Sequence, residues 1–325
     1  MARLGIGLIG VGRHGGRYAR HIVQDLPNLR LVALARRHFD LARQQASELD
    51  CRAYADYRDL MAAPNVDAVI AVVPPTLHRE IIDTAATLRR PVLLEKPAAI
   101  SLAEGRRMLH AVRQAGIPVM VAQTLRYNGV VQALLQAREQ IGRLHSLRIS
   151  QRFEPSRPGW IDDPGVAGGG MIMHTGVHSF DLMRLLSGLE AERVSCELSC
   201  IRTTQTEDNF SALIRLSDGA TLASIAGSRA TASRSGPIEL AGEDGQLIAD
   251  HLLNTAIVLR GTSAAPVAVP APVATVRAVV ADFASALERG APMPILLEEG
   301  LRAVAIADAC YRAARAERAV AVEQI

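Results

Sequence analysis

The sequence predicts an α/β protein in which a doubly wound parallel sheet precedes an α+β domain with a large, mainly antiparallel open sheet. Short apolar runs alternate with helical stretches of about 10–15 residues through the first third of the chain, the pattern of βαβ units. A glycine cluster, Gly10, Gly12 and Gly15, separates the first apolar run from the first helical stretch. Beyond residue 122 the alternation shifts to a period of two: Val194, Cys196, Leu198 and Cys200 share one face, and Ser195, Glu197 and Ser199 the other. The first domain is therefore expected over 1–122 and the second over 123–325.

The elements follow in order. Residues 3–9 form an apolar run suited to a buried parallel strand, followed by the glycine turn and a helix over 16–24. A strand over 29–35 comes after Pro27-Asn28, then a helix over 40–49 and a short strand near 52–53. Residues 66–73 are rich in β-branched side chains, and a helix over 77–88 leads to a strand over 91–94. A helix over 102–115 and a strand over 118–122 complete the first domain. A helix over 130–139 opens the second. Strands over 194–201, 209–216 and 220–227 follow, the last two joined by the turn Ser217-Asp218-Gly219. The stretch 261–275, rich in Ala, Pro and Val, reads as an extended surface excursion, and helices over 276–289 and 297–316 close the chain. Ala223, Ile225 and Gly227 are expected on an outward sheet face, where small and apolar side chains suit assembly into a homodimer or homotetramer.

Composition narrows the function. Apolar residues make up 49% and charged residues 21%, ordinary for a globular chain, while aromatics at 3% are too few for stacking nucleic-acid bases. The formal charge is only +3, and the arginines are spread along the chain, which excludes a nucleic-acid-tracking surface. No apolar run approaches the ~20 residues needed to span a bilayer, and the first residues run into a strand without signal-peptide architecture. Cys51, Cys196, Cys200 and Cys310 form no CxxC pair, which suits the reducing cytoplasm. Of the 36 cationic side chains only one, Lys96, is lysine. Arginine is a wide fork that stays charged, whereas lysine is a compact ammonium whose pKa can be tuned.

In the glycine motif, the first glycine allows the tight turn, the second the approach of a pyrophosphate, and the third close packing of helix on strand. An acidic residue ending the second strand would favour the ribose hydroxyl of NAD. Arg36-Arg37 stands there instead, with Arg13 on the turn, and no carboxylate occurs before Asp40. That pattern favours NADP(H), with NAD as the alternative in which these arginines are ordinary surface charges and Asp40 caps the next helix.

Further motifs carry a resemblance. Pro74-Pro75-Thr76-Leu77-His78 follows the fourth strand, Glu95-Lys96-Pro97 the next, and Leu125-Arg126-Tyr127-Asn128 the last strand of the first domain. The run Gly168-Gly169-Gly170 leads to His174, His178 and Asp181, and Glu207-Asp208 precedes a strand. In this order the chain resembles the Gfo/Idh/MocA family of oxidoreductases over nearly its whole length. The resemblance implies an NAD(P)-dependent dehydrogenase or reductase acting on a secondary alcohol or carbonyl of a sugar, polyol or related small molecule. The alternative is a non-catalytic NAD(P)-binding regulator or sensor on the same fold.

Residue by residue, the resemblance places Lys96 beside the nicotinamide and the substrate oxygen, where an ammonium stabilises developing alkoxide. It makes His178 the acid/base, with a pKa naturally near working pH. Many family members carry aspartate four residues before that histidine; this chain carries His174, on the same helical face and counted with the catalytic pair. The HxxxH spacing lacks a following glutamate and a third ligand, so no metal is assigned. The cofactor set comprises Gly10, Gly12, Arg13, His14, Gly15, Arg36, Arg37, Pro74, His78, Glu95, Lys96 and Gln123. The substrate set comprises Arg126, Trp160, Asp163, His174 and His178. Trp160, the one tryptophan, either packs on a sugar or nicotinamide face or simply anchors its loop.

Overall fold

The computed structural model describes residues 3–155 and 159–325, in two compact units. The first takes in the chain up to Ala99, then Ala103–Thr124 and Ala274–Gly300; the second holds Ile100–Leu102, Leu125–Val273 and Leu301–Ile325.

The first unit begins with β1 (Leu4–Ile9), α1 (Gly15–Gln24), β2 (Leu29–Ala35), α2 (Phe39–Glu48) and β3 (Arg52–Tyr54). It continues through α3 (Tyr57–Ala62), β4 (Ala68–Ala71), α4 (His78–Leu88), β5 (Val92–Leu94), α5 (Leu102–Ala115) and β6 (Val119–Val121). The strands run in the order β3-β2-β1-β4-β5-β6, all parallel, so the direction of winding reverses between β1 and β4. Ile6, Leu8, Val69, Ile70, Leu93 and Leu94 are buried, as parallel strands covered on both faces require. Ligands of such sheets bind beyond the carboxyl ends of the strands at the reversal point, where the glycine turn stands.

The second unit contributes α6 (Gly129–Ala137), β7 (Leu144–Arg152), α7 (Pro164–Ala167), α8 (Val177–Ser187), β8 (Ala191–Ser199), β9 (Asn209–Leu216) and β10 (Leu222–Ser228). After them come β11 (Pro237–Gly242), β12 (Gly245–Asp250), β13 (Thr255–Arg260) and β14 (Ser263–Pro266), then α9 (Thr275–Arg289), which belongs to the first unit, and finally α10 (Leu297–Ala316) and β15 (Val320–Ala321). The nine-stranded order is β14-β13-β12-β11-β7-β10-β9-β8-β15, and within it the β10–β7 pair is parallel. One face packs beneath α8, with Ile149, Ile214, Ala223, Ile225, Ile238 and Leu240 buried.

The structure corrects three expectations. Residues 274–300, assigned by sequence to the second domain, return to the first unit. There α9 packs on α1, Asn28 Nδ2 donates to Glu288 Oε1 at 2.8 Å, and Val121 N–H donates to the Ile295 carbonyl at 3.0 Å. Ala223, Ile225 and Gly227 point into the core instead of outward. The open face is instead formed by the alternate residues, including Leu222 and Leu213, 42% and 55% exposed. Finally, Asp40 lies in the first turn of α2, and the capping position belongs to His38. Strand β7 escaped the period-two reading because its burial departs from strict alternation. β14 falls inside the excursion expected over 261–275, as an exposed edge strand.

Candidate functional site

In the first unit the glycine turn is closed by backbone on two sides and open on the third. Gly10 has φ +90°, and a Cβ there would run into the Val72 carbonyl oxygen; one at Gly15 would run into the Gly10 carbonyl oxygen. At Gly12 nothing lies within 4 Å of such an atom. That open approach at the start of α1 fits a dinucleotide pyrophosphate, which needs backbone N–H groups and no intervening side chain.

His14, on this turn, brings Nε2 to 2.7 Å from Glu95 Oε1. The buried Tyr18 hydroxyl donates to the same oxygen at 2.6 Å, and the Lys96 backbone N–H donates to Glu95 Oε2 at 2.9 Å. Burial alone would push the Glu95 carboxyl up. The His14 bond and charge, the Lys96 ammonium and the Tyr18 hydroxyl overcome it and hold the group at about 2. Tyr18 was missed by sequence reasoning. A buried tyrosine one turn beyond His14 was the available signal, since a buried phenol must find a partner. Burial lowers the pKa of the half-buried Lys96, and Glu95 opposes that shift.

The remaining residues of the expected cofactor set divide by exposure. Arg36 ends β2 half-buried, and its NH1 donates to Gln45 Oε1 at 3.0 Å. Gln45 Nε2 in turn donates to the Val11 carbonyl at 3.2 Å, which ties this arginine to the glycine turn. Arg13 and Arg37 are exposed, and Pro74 stands half-exposed beyond β4. His78 is 0% exposed, and its Nδ1 lies 3.4 Å from the Ala98 carbonyl beneath the Glu-Lys-Pro loop. Burial lowers its pKa to about 4, so it is neutral near pH 7. Gln123 is likewise buried, at the end of β6.

In the second unit Gly168, Gly169 and Gly170 lead into a π-helical turn, Ile172–Gly176, which runs directly into α8. Such widened turns occur frequently at functional sites. From Met171 to Arg184 the only residues not buried are His174 and His178. They stand as two half-buried imidazoles on an otherwise enclosed segment.

Arg126, expected as a substrate contact, is half-buried and paired. Its Nε and NH2 donate to Asp181 Oδ2 and Oδ1 at 2.8 and 2.6 Å, so its fork grips a buried carboxylate on α8. Asp163 Oδ1 accepts the Gly165 N–H at 2.9 Å and caps α7. The neighbouring Asp162, not singled out by sequence, accepts the backbone N–H groups of Thr204, Gln205 and Thr206 at 2.9–3.1 Å. Those bonds, led by Thr204, hold its carboxyl well below the usual range. Trp160, 39% exposed, sits on the short turn that Asp162 fastens. Among the described residues no group of three or more His, Cys, Asp or Glu side chains is arranged to hold a metal ion.

Known proteins match both units. Residues 4–123 fit the family described as an oxidoreductase family with an NAD-binding Rossmann fold, and residues 130–248 fit the GFO/IDH/MocA C-terminal domain. A myo-inositol 2-dehydrogenase of Thermotoga maritima is 29% identical over 262 residues, 78% of this chain and 77% of its own. A 1,5-anhydro-D-fructose reductase of Ensifer adhaerens is 28% identical, with 82% of each chain aligned. Levoglucosan dehydrogenase, solved in complex with NADH and L-sorbose, shares the fold with a TM-score of 0.89 over 100% of both chains at 23% identity. With both of the family's domains matched in order, the glycine turn, the Glu-Lys-Pro loop and the histidine-bearing helix belong to an oxidoreductase of the Gfo/Idh/MocA family.

Proposed function

We propose that the chain moves a hydride between a nicotinamide dinucleotide and a secondary alcohol or carbonyl of a sugar, polyol or related small molecule. The observation that carries this reading is Lys96: the one lysine of 325 residues, half-buried beyond β5, with its ammonium pKa lowered by burial. A bound nicotinamide supplies hydride acceptance or donation. Lys96 stabilises negative charge developing on the substrate oxygen, and His178 accepts the hydroxyl proton in oxidation or returns it in reduction. His174 stands one turn earlier with the same access to solvent, a position from which it can orient substrate or pass the proton onward. The named activities of the inositol dehydrogenase and the anhydrofructose reductase support a polyol or sugar substrate.

For the cofactor we favour NADP(H) over NAD(H), because Arg36 and Arg37 directly follow β2 and the first carboxylate, Asp40, lies on the exposed surface of α2. Gly10, Gly12, Gly15, Arg13 and His14 would hold the pyrophosphate side. We assign the open sheet face bearing Leu213 and Leu222 to contact with a second copy of the chain, as a homodimer or a homotetramer. No described helix is long and apolar enough to cross a membrane. Four cysteines without a disulfide suit the cytoplasm.

Lys96→Arg and His178→Ala test the reading. Both are expected still to bind NADPH, while turnover of a sugar or polyol falls roughly 10²–10⁴-fold for His178→Ala. Full activity of His178→Ala would overturn its proton-transfer role. His174, standing where the family resemblance implies aspartate, keeps open a second reading, a ligand sensor. It predicts cofactor binding with no change in nicotinamide absorbance on any sugar or polyol.

A further inference from the structure

We propose that Glu207 and Tyr311 are positioning residues for His174 and His178, capping the helix that carries both; this extends the hydride-transfer reading of the same site. The first N–H groups of any helix lack partners within it. Here the preceding residues are three glycines, and neither Met171 nor Gly176, at the starts of the π turn and α8, supplies a side-chain cap. The caps come from distant parts of the same unit. Glu207, in the loop before β9, accepts the Gly170 N–H on Oε2 at 3.1 Å and the Ile172 N–H on Oε1 at 2.8 Å. Its carbonyl accepts the Met171 N–H at 2.7 Å, so three successive amides are held by one residue. Tyr311, on α10, donates its hydroxyl to Glu207 Oε1 at 2.8 Å and accepts the Gly170 N–H at 3.3 Å.

The glycine run is what admits this clamp. A Cβ at Gly170 would run into the Glu207 carbonyl oxygen, and one at Gly169, where φ is +151°, into the Tyr311 hydroxyl. The clamp then passes directly to the chemistry. The Gly170 carbonyl accepts the His174 N–H at 2.9 Å, and His178 follows one turn later. Glu207 is only 6% exposed, so its charge-assisted bonds act away from competing water. A shift of the clamped amides therefore moves both imidazoles together, and displacements near 1 Å can cost about 10²-fold in rate.

Tyr311 and Glu207 also line a cavity of about 550 Å³ with Gly168, Gly169 and Arg315. Tyr311→Phe thus removes a hydroxyl beside open space and leaves the packed core intact. The test compares wild type, Glu207→Gln and Tyr311→Phe for NADPH affinity, for kcat and KM on a sugar or polyol, and for the ring resonances of His174 and His178. The expected result is unchanged NADPH affinity, kcat lowered at least about tenfold in Glu207→Gln and a few-fold in Tyr311→Phe, and displaced histidine resonances. Wild-type kcat and unmoved resonances in folded variants would overturn the proposal. Should Glu207→Gln fail to fold, Tyr311→Phe decides by the same two readouts. If wild type turns over no substrate, the hydride-transfer reading fails, while the ring resonances still decide whether Glu207 and Tyr311 place the histidines.

Discussion

His14 Nε2 and Glu95 Oε1 stand 2.7 Å apart, which joins the glycine turn to the residue immediately before Lys96. Because Tyr18 donates to the same oxygen and Glu95 Oε2 receives the Lys96 N–H, the turn and the Glu-Lys-Pro loop form one hydrogen-bonded piece. An ordinary glycine turn needs no such link. The imidazole at position 14 supplies a second anchor for the carboxylate, which otherwise would be buried with the Tyr18 phenol and its own loop as its principal partners.

That link has a pH signature. Glu95 titrates at about 2 in the folded protein against an ordinary 4.5, so its contribution is fully present above about pH 4.5 and is lost as pH falls toward 2. A shift of this size corresponds to stability on the order of 3 kcal/mol. Urea unfolding of wild type and Glu95→Gln should show a stability gap that narrows as pH drops through this window. A gap independent of pH would show that the carboxylate is not held ionised in the fold.

Arg36 provides the test of cofactor choice. Replacing it with Asp puts negative charge where a 2′-phosphate would lie, and loss of a charge-assisted contact of about 1.5–3 kcal/mol lowers NADP affinity at least about tenfold. NAD affinity should stay similar or rise, as measured by fluorescence titration. Equal loss for both cofactors would return Arg36 to a structural role through Gln45, whose amide it already engages at 3.0 Å.

Assembly is tested on the open sheet face. Leu213→Glu places charge at a position 55% exposed in the single chain, so the fold should tolerate it. Light scattering is expected to show wild type as a dimer or tetramer and Leu213→Glu dissociating at the same concentration. A wild-type monomer, or a variant that assembles equally well, would remove this face from consideration.

The parallel sheet was legible because its strands are buried on both sides and read as uninterrupted apolar runs, such as 66–73 around β4. Strand β7 was not, since its side chains serve a bulged pairing and a half-open face. At the candidate site, glycines and the lone lysine are informative by residue type alone. At Arg126 the guanidinium shows a capacity for oxygen ligands in the sequence, but not that Asp181, fifty-five residues away, is one of them. Tyr311 was not singled out and Glu207 was read only as part of a motif before a strand, because their partners at Gly170, Met171 and Ile172 are backbone amides, which carry no side-chain signal. Position 274 marks the other limit, because nothing in the local pattern of α9 reveals that its apolar stripe belongs against α1.

The solitary Lys96 gives this molecule an unusual chemical address. An amine-selective reagent applied to the folded protein has one side-chain target in 325 residues, the ammonium whose pKa burial lowers. Shielding by a bound dinucleotide could then be read directly as a missing mass increment. The same arithmetic applies to biological marks: any acetyl or ubiquitin group directed to a lysine side chain of this chain has nowhere to go but the Glu-Lys-Pro loop.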